Sequence, residues 1–314
     1  MKCPICKNHP KKCGRDRKGK QRYRCLTCGR TFQRTRRRIL GGKLLPPTKA
    51  VSVLEHLIEG CSIRSTGRLT KVHRDTVLRL LRMTGDQCEL LMLELIRGLA
   101  VQDVECDELW SFIKMRSKTK LLLEIESNDL GDAWVYSAFE RNTKLVLAWH
   151  LGQRCYEDTV LFMEKLRHAT SGRFQITTDG FKPYRDAVPL SLGSRKVDFP
   201  QLVKTYGTTR TGVRSRYTGS VKEVICGKPD LNRVSTSAVE RQNLSIRMET
   251  RRFTRKTNGF SKKCANHHAA LALYFAYYNF CRVHRTLKKT PAMAANLTDS
   301  VWTLKNLLSA ATQL

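Results

Sequence analysis

Acids are outnumbered in this chain, 27 Asp and Glu against 58 Lys and Arg, so their placement carries information. In FQITTDGFKPYRDAV, residues 174–188, Phe174 and Ile176 suit a strand, Gly180 a tight turn, and Lys182 to Val188 the start of a helix. Asp179 therefore stands where a strand leaves the core. In VQDVECDELWSFI, residues 101–113, Asp103, Glu105 and Asp107 share one face of a strand, while Val104, Cys106, Trp110 and Phe112 mark the buried alternates. Glu108 adds a fourth acid, and periodicity does not choose among them. In VSTSAVERQNLSIRMETRRF, Asn243 and Arg247 follow Glu240 at three and seven residues, on one helix face. Carboxylates gathered from separate elements hold Mg²⁺ well, and two such ions about 3.5–4 Å apart serve both ends of an in-line displacement at a phosphodiester. Plain alternatives exist. The strand acids fit a solvated edge, and Ser237-x-x-Glu240 fits a helix capping box.

A second constellation lies at the start of the chain. Cys3-x-x-Cys6 and Cys25-x-x-Cys28 are separated by 18 residues, the pattern of a four-cysteine zinc ribbon with one Zn²⁺. Each pair on a knuckle turn offers two thiolates to one tetrahedral ion, and the metal supplies the folding energy that so short and polar a segment lacks. His9 and Cys13 lack the paired spacing. The remaining cysteines, at 61, 88, 106, 155, 226, 264 and 281, stand mostly among apolar residues and read as small core side chains.

The elements that must position these groups fall into sections. A basic linker, 34–48, ends in Gly-Gly and Pro-Pro. From 49 to 98 the pattern is helical. Val51, Leu54, Leu57 and Ile58 recur at helical spacing, and SIRSTGRLTKVHRDTVLRLLRMTG reads as a helix-turn-helix, with Ile63, Gly67, Leu69, Val72, Val77 and Leu80 as its contacts. Its second helix, about His73 to Met83, presents Arg74, Asp75, Thr76 and Arg79 outward, as major-groove reading requires, and Arg64 and His73 flank it. A small helical bundle used as a spacer gives the same pattern. From about 99, three strands, a helix, a strand, a further strand-like run DFPQLVKTYGT at 198–208 and closing helices imply a mixed α/β sheet.

The formal net charge is +31, and residues 1–38 and 200–263 carry +25 of it. Such patches point to a polyanion, nucleic acid before anionic membrane, since no lipidation signal or amphipathic anchor is present. No run of 18 apolar residues appears and the basic N-terminus leads into cysteines, so the expectation is a soluble, cytoplasmic protein.

The stretches CDELWSF, TTDGFKPY, AVERQNLSIR and YYNFCRVHRTLKKTPAMAA together resemble the Asp-Asp-Glu transposases of the insertion sequence one family, over nearly the whole chain. The resemblance implies an α/β, ribonuclease-H-like catalytic core over 99–260, preceded by a zinc ribbon (1–33) and a helix-turn-helix domain (49–98), and followed by a helical extension (261–314). It implies Asp107, Asp179 and Glu240 as the three acids holding two Mg²⁺ (or Mn²⁺). It places Arg247 against DNA, and Asn243 and Arg251 are expected beside it. The implied activity is 3′-end cleavage at terminal inverted repeats and strand transfer into target DNA, by at least a dimer on double-stranded DNA in a prokaryotic, nucleoid-associated setting. The rival expectations are a nuclease or resolvase on the same core, and a transcription regulator using residues 1–85 alone. One departure is the 60-residue interval between Asp179 and Glu240, longer than in compact members of the family. Residues 193–236 therefore read partly as a basic insertion, either a DNA-contacting hairpin or a solvated loop. The C-terminal aromatics read as core, and His267, His268 and His284 as structural or catalytic, with His284 nearest DNA.

Overall fold

The computed structural model describes residues 2–17, 19–33, 45–127, 129–208, 215–254 and 258–312. Most of the expected linker, 34–44, and the tip of the basic insertion, 209–214, lie outside these. The chain forms two compact units, Met1–Leu45 and Pro46–Leu314.

The first unit is a three-stranded antiparallel sheet, β1 (Pro10–Arg15), β2 (Gln21–Cys25) and β3 (Thr31–Gln33). Among its described residues the buried apolar side chains are Cys3 and Cys25. So small a core does not hold a sheet by itself.

The second unit opens with three helices, α1 (Pro47–Ile58), α2 (Ile63–Thr70) and α3 (Arg74–Leu95). Pro47 starts α1 where its missing N–H costs nothing. Ser62 caps α2 by accepting from the Ser65 amide, and the chain leaves it through Lys71 in the left-handed conformation, at φ 56°. Gly67 permits that turn, because a Cβ there would meet the Val72 carbonyl at 2.9 Å. Two expectations are corrected. Leu69 is 60% exposed, and Thr66 and Thr70 are buried in its stead. The helix after the turn does not stop near Met83 but runs on to Leu95. Its distal half carries a second apolar face, with Cys88, Leu91 and Met92 buried.

A six-stranded mixed sheet follows: β4 (Asp103–Ile113), β5 (Gly131–Glu140), β6 (Val146–Gly152), β7 (Phe174–Asp179), β8 (Val197–Thr208) and β9 (Ser215–Cys226). The strand order is β9-β8-β7-β4-β5-β6. β4, β5 and β6 form an antiparallel meander, β7 and β8 run parallel to β4, and β9 returns antiparallel on β8. Helix α4 (Tyr156–Ala169) links β6 to β7, α5 (Ser237–Glu249) follows β9, and α6 (Cys264–Phe280) precedes short C-terminal helices. β4 is central and covered on both faces, so alternation fails along it. Glu105 and Glu108 are buried, whereas Trp110 and Phe112 are only half-buried.

Helix α6 joins the helical and sheet portions. A Cβ on Gly85 would lie 2.5 Å from the Ala269 Cα, so α3 and α6 touch backbone to backbone there. Asn279 pairs with the Val146 backbone on β6 in both directions, at 3.0 and 2.9 Å. The C-terminal aromatics Tyr274, Phe275, Tyr278 and Phe280 are core, as their spacing predicts. No helix among the described residues is long and apolar enough to cross a membrane.

His267 is wholly buried, held between Ser111 Oγ at 3.0 Å and Ser261 Oγ at 2.8 Å, which makes it a structural histidine. Burial lowers its pKa from 6.5 to about 3. The unfolded chain therefore binds a proton below pH 6.5 that the fold refuses. Its contribution to stability is full above pH 6.5 and is lost as pH falls toward about 3, at about 1.4 kcal/mol per pH unit. Urea titrations across that window should show a steeper acid loss in wild type than in His267→Gln. Equal slopes would mean the ring is already charged in the fold.

Candidate metal-dependent site

Register brings the first two acids together. β4 and β7 run parallel with Cys106 opposite Thr178, so the next residues, Asp107 and Asp179, emerge side by side. One carboxylate oxygen each from Asp107, Glu108 and Asp179 lie within 4.8 Å of one another. Glu240, on the first turn of α5, lines the same cleft of about 660 Å³, together with Arg154, Lys182, Lys204 and Tyr206.

Helix α5 is fixed to β4 by side chains of that strand. Glu105 Oε2 accepts from the amides of Ala238 at 2.8 Å and Val239 at 3.0 Å, neutralising the helix N-terminus from 133 residues away. Two residues on, Asp107 Oδ2 accepts from Asn243 Nδ2 at 2.8 Å. The capping-box reading of Ser237 and Glu240 does not hold, since Ser237 is already helical and no side chain of α5 caps its own amides. Glu240 instead accepts from Thr236 Oγ1 at 2.7 Å and from Lys204 Nζ at 2.5 Å. Glu105→Ala leaves two helix amides unmet, which should cost about 1–3 kcal/mol. It should also depress any activity that needs Glu240, and Glu105→Gln, keeping one acceptor oxygen, should lose less of both. Thermal melts beside activity assays check this, and an alanine variant as stable as wild type would remove the cap from the account.

Electrostatics mark the cleft as short of positive charge at its floor. Asp107 is pushed up to about 6, first by burial and then by the Asp179 charge, with Asn243 opposing. Glu108, whose side chain is 1% exposed, is pushed up to about 8 by burial and then by Asp179. Arg154 offsets part of this, donating to Glu108 from Nε at 3.2 Å and Nη2 at 3.1 Å and reaching Asp179 at 3.6 Å. Its guanidinium lies 4.0 Å from the Phe181 ring centroid. The Asp179 carboxylate is also aimed, because Oδ1 accepts from the Phe181 amide at 2.9 Å. An all-oxygen donor set on crowded carboxylates fits a hard divalent cation.

In the first unit, Cys3, Cys6, Cys25 and Cys28 place their sulfurs within 4.8 Å of one another. The Cys3–Cys28 pair is 3.7 Å apart and the Cys6–Cys25 pair 3.2 Å. Tetrahedral sulfur around zinc at about 2.3 Å has edges of about 3.8 Å, so the cluster fits with small adjustments. The Cys28 amide, and then the Cys6 thiol, lower the Cys25 pKa to about 6, toward the thiolate a metal binds.

The other residues singled out from the sequence are dispersed. Arg64, Arg74 and Arg79 are exposed on α2 and α3, Thr76 is half-buried, and His73 caps α3 through the Asp75 amide at 3.3 Å. Asn243 is 6% exposed and engaged with Asp107, so it positions a carboxylate and does not face a ligand outside. Arg247 is half-buried and donates to the Phe253 carbonyl at 3.2 Å, while Arg251 is exposed. His268 pairs with Glu89 at 3.3 Å, and His284 contacts Thr286 at 2.9 Å. The basic insertion is in part sheet. Gln201 on β8 donates to Thr178 Oγ1 at 3.2 Å and to the Asp179 carbonyl at 2.9 Å, bracing the strand end that bears Asp179. Arg154 and Lys204 carry no local signal in the sequence, because only the fold brings them to the acids. No family model matches this chain, and no curated protein matches it.

Proposed function

We propose that the protein is an Asp-Asp-Glu DNA transposase of the insertion sequence one type, cutting element ends and joining their 3′-hydroxyls to target DNA. The observation that carries this reading is the gathering of Asp107, from the middle of β4, and Asp179, from the end of the adjacent β7, with Glu240, from a helix, in one cleft of a chain of charge +31. Acids on two strands and a helix are what a ribonuclease-H-like core requires. The short helix α2 and the start of α3, with exposed Arg74 and Arg79 after a left-handed turn, support a helix-turn-helix for the terminal repeats. The four-cysteine cluster supports a zinc ribbon.

Asp107, Asp179 and Glu240 would hold divalent ions, which when bound stabilise the phosphodiester oxygens and activate the attacking hydroxyl. The protein's own part is positioning. Asn243 fixes the Asp107 carboxylate, the Phe181 amide fixes Asp179, and Thr236 and Lys204 fix Glu240. Lys182, Lys204 and Arg154 line the cleft with positive charge for the DNA backbone. Water and then a DNA hydroxyl act as nucleophiles, so no covalent protein–DNA link forms.

The test is end cleavage on a labelled terminal-repeat duplex. The expected result is a nick at the element's 3′ end with Mg²⁺ or Mn²⁺ and none with chelator. Cleavage that survives chelation would exclude this chemistry.

A further inference from the structure

A cavity of about 590 Å³ lies in the second unit between α2, α3, the segment after α5 and α6, and it shares no lining residue with the carboxylate cleft. Its volume is in the range of about 300–1,000 Å³ typical of small-ligand pockets. The charge of its lining is one-sided. Arg64, Arg74, Arg251, Arg252 and Lys262 face a single acid, Asp75, which Arg74 and His73 already engage at 3.7 and 3.6 Å.

Arg252 is the decisive residue. It is half-buried, and its guanidinium donates to Ser261 Oγ at 2.8 Å. Among the described residues no carboxylate pairs with it, and burial alone lowers its pKa to about 10. The residues outside the described set include no Asp or Glu. A half-buried guanidinium that lines a cavity, with one hydroxyl partner and no carboxylate among the described residues, has donors to offer an anionic ligand there. A free inorganic anion leaves much of the wall unused, because Leu57, Ile63, Leu78 and Phe260 also line the cavity and each is half-buried. A duplex is too large for the space.

We infer that this cavity binds one nucleotide, its phosphate on Arg252 with Arg64, Arg251 and Lys262, and its base against the apolar wall. Its source is an extrahelical nucleotide of DNA lying across α2 and α3, an assignment that rests on the DNA-processing reading above, whereas nucleotide binding itself does not. Unstacking one base costs a few kcal/mol, which a fitted pocket returns.

Calorimetric titration of the full-length protein with dAMP, deoxyadenosine and inorganic phosphate tests the pocket. dAMP should bind at least about tenfold more tightly than either fragment, and Arg252→Gln should weaken it about tenfold or more. Lys262→Ala, an exposed substitution, should weaken it to a lesser degree and guards against misfolding of the first variant. Phosphate binding as tightly as dAMP, or both variants titrating like wild type, would overturn the nucleotide site. Asp179→Asn should bind dAMP as wild type does, so failure of the catalytic reading and failure of this one are separable. For the source, duplexes carrying 2-aminopurine at successive end positions should brighten at one position with wild type and not with Arg252→Gln. Binding of dAMP with no brightening at any position would overturn the DNA assignment.

Discussion

Asp179→Asn should bind a terminal-repeat duplex as wild type does and yet lose end cleavage and strand transfer by about a thousandfold or more. The substitution keeps the size of the side chain and one acceptor oxygen, so the Phe181 amide can still be met. What it removes is the charge that, with Asp107, makes the cleft a cation site. The fold should not suffer. Asp107 is held high in part by the Asp179 charge, and removing one of two crowded like charges relieves repulsion. The melting temperature should therefore hold or rise, which separates loss of chemistry from loss of structure. Strand transfer at wild-type rate would remove Asp179 from the site.

The second large effect should follow Cys25→Ser or removal of zinc by a chelator. Cys25 and Cys3 are the buried apolar side chains among the described residues of the first unit, and the four sulfurs converge on one point. Structural zinc in such small domains supplies on the order of 10 kcal/mol or more of folding free energy. The first unit should accordingly lose β1, β2 and β3, and bound zinc should fall from one per chain to none. The second unit, with its own sheet and helical core, should keep its melting transition. Circular dichroism and metal analysis on the full chain read both. A first unit that keeps its strands in chelator would show that packing alone holds it.

Both predictions lean on features that the sequence displays locally. The cysteine pairs fold within their own segment, and Asp179 sits at a strand-to-turn junction marked by Phe174, Ile176 and Gly180. Asp107 is harder to single out, because Asp103 and Glu105 share its strand face and Glu108 stands next to it. Their separation is tertiary. Asp103 pairs with Arg233 and Glu105 caps α5, which leaves Asp107, and Glu108 with its Arg154 partner, beside Asp179. Burial of Glu105 and Glu108 was not legible because a central strand has two covered faces, and the pattern of one strand does not reveal its neighbours; Trp110 and Phe112, toward the far end of that strand, are only half-buried. Asn243 was legible as sharing a face with Glu240 but not as inward-facing, since the strand that covers it lies more than a hundred residues away. The run 198–208 is legible as a strand and forms β8, whereas its return strand β9 shares the basic, glycine-containing composition of the expected insertion and shows no strand pattern of its own.

The most direct test of the central claim joins DNA. Purified protein, a duplex with a pre-exposed 3′-hydroxyl at the terminal repeat, a plasmid target and Mg²⁺ would be incubated, and the covalent junction sequenced. The account predicts the 3′ end of the repeat joined to plasmid by wild type, and no junction from Asp107→Asn, Asp179→Asn or Glu240→Gln. No junction from wild type, or junctions formed equally by the three variants, would contradict it.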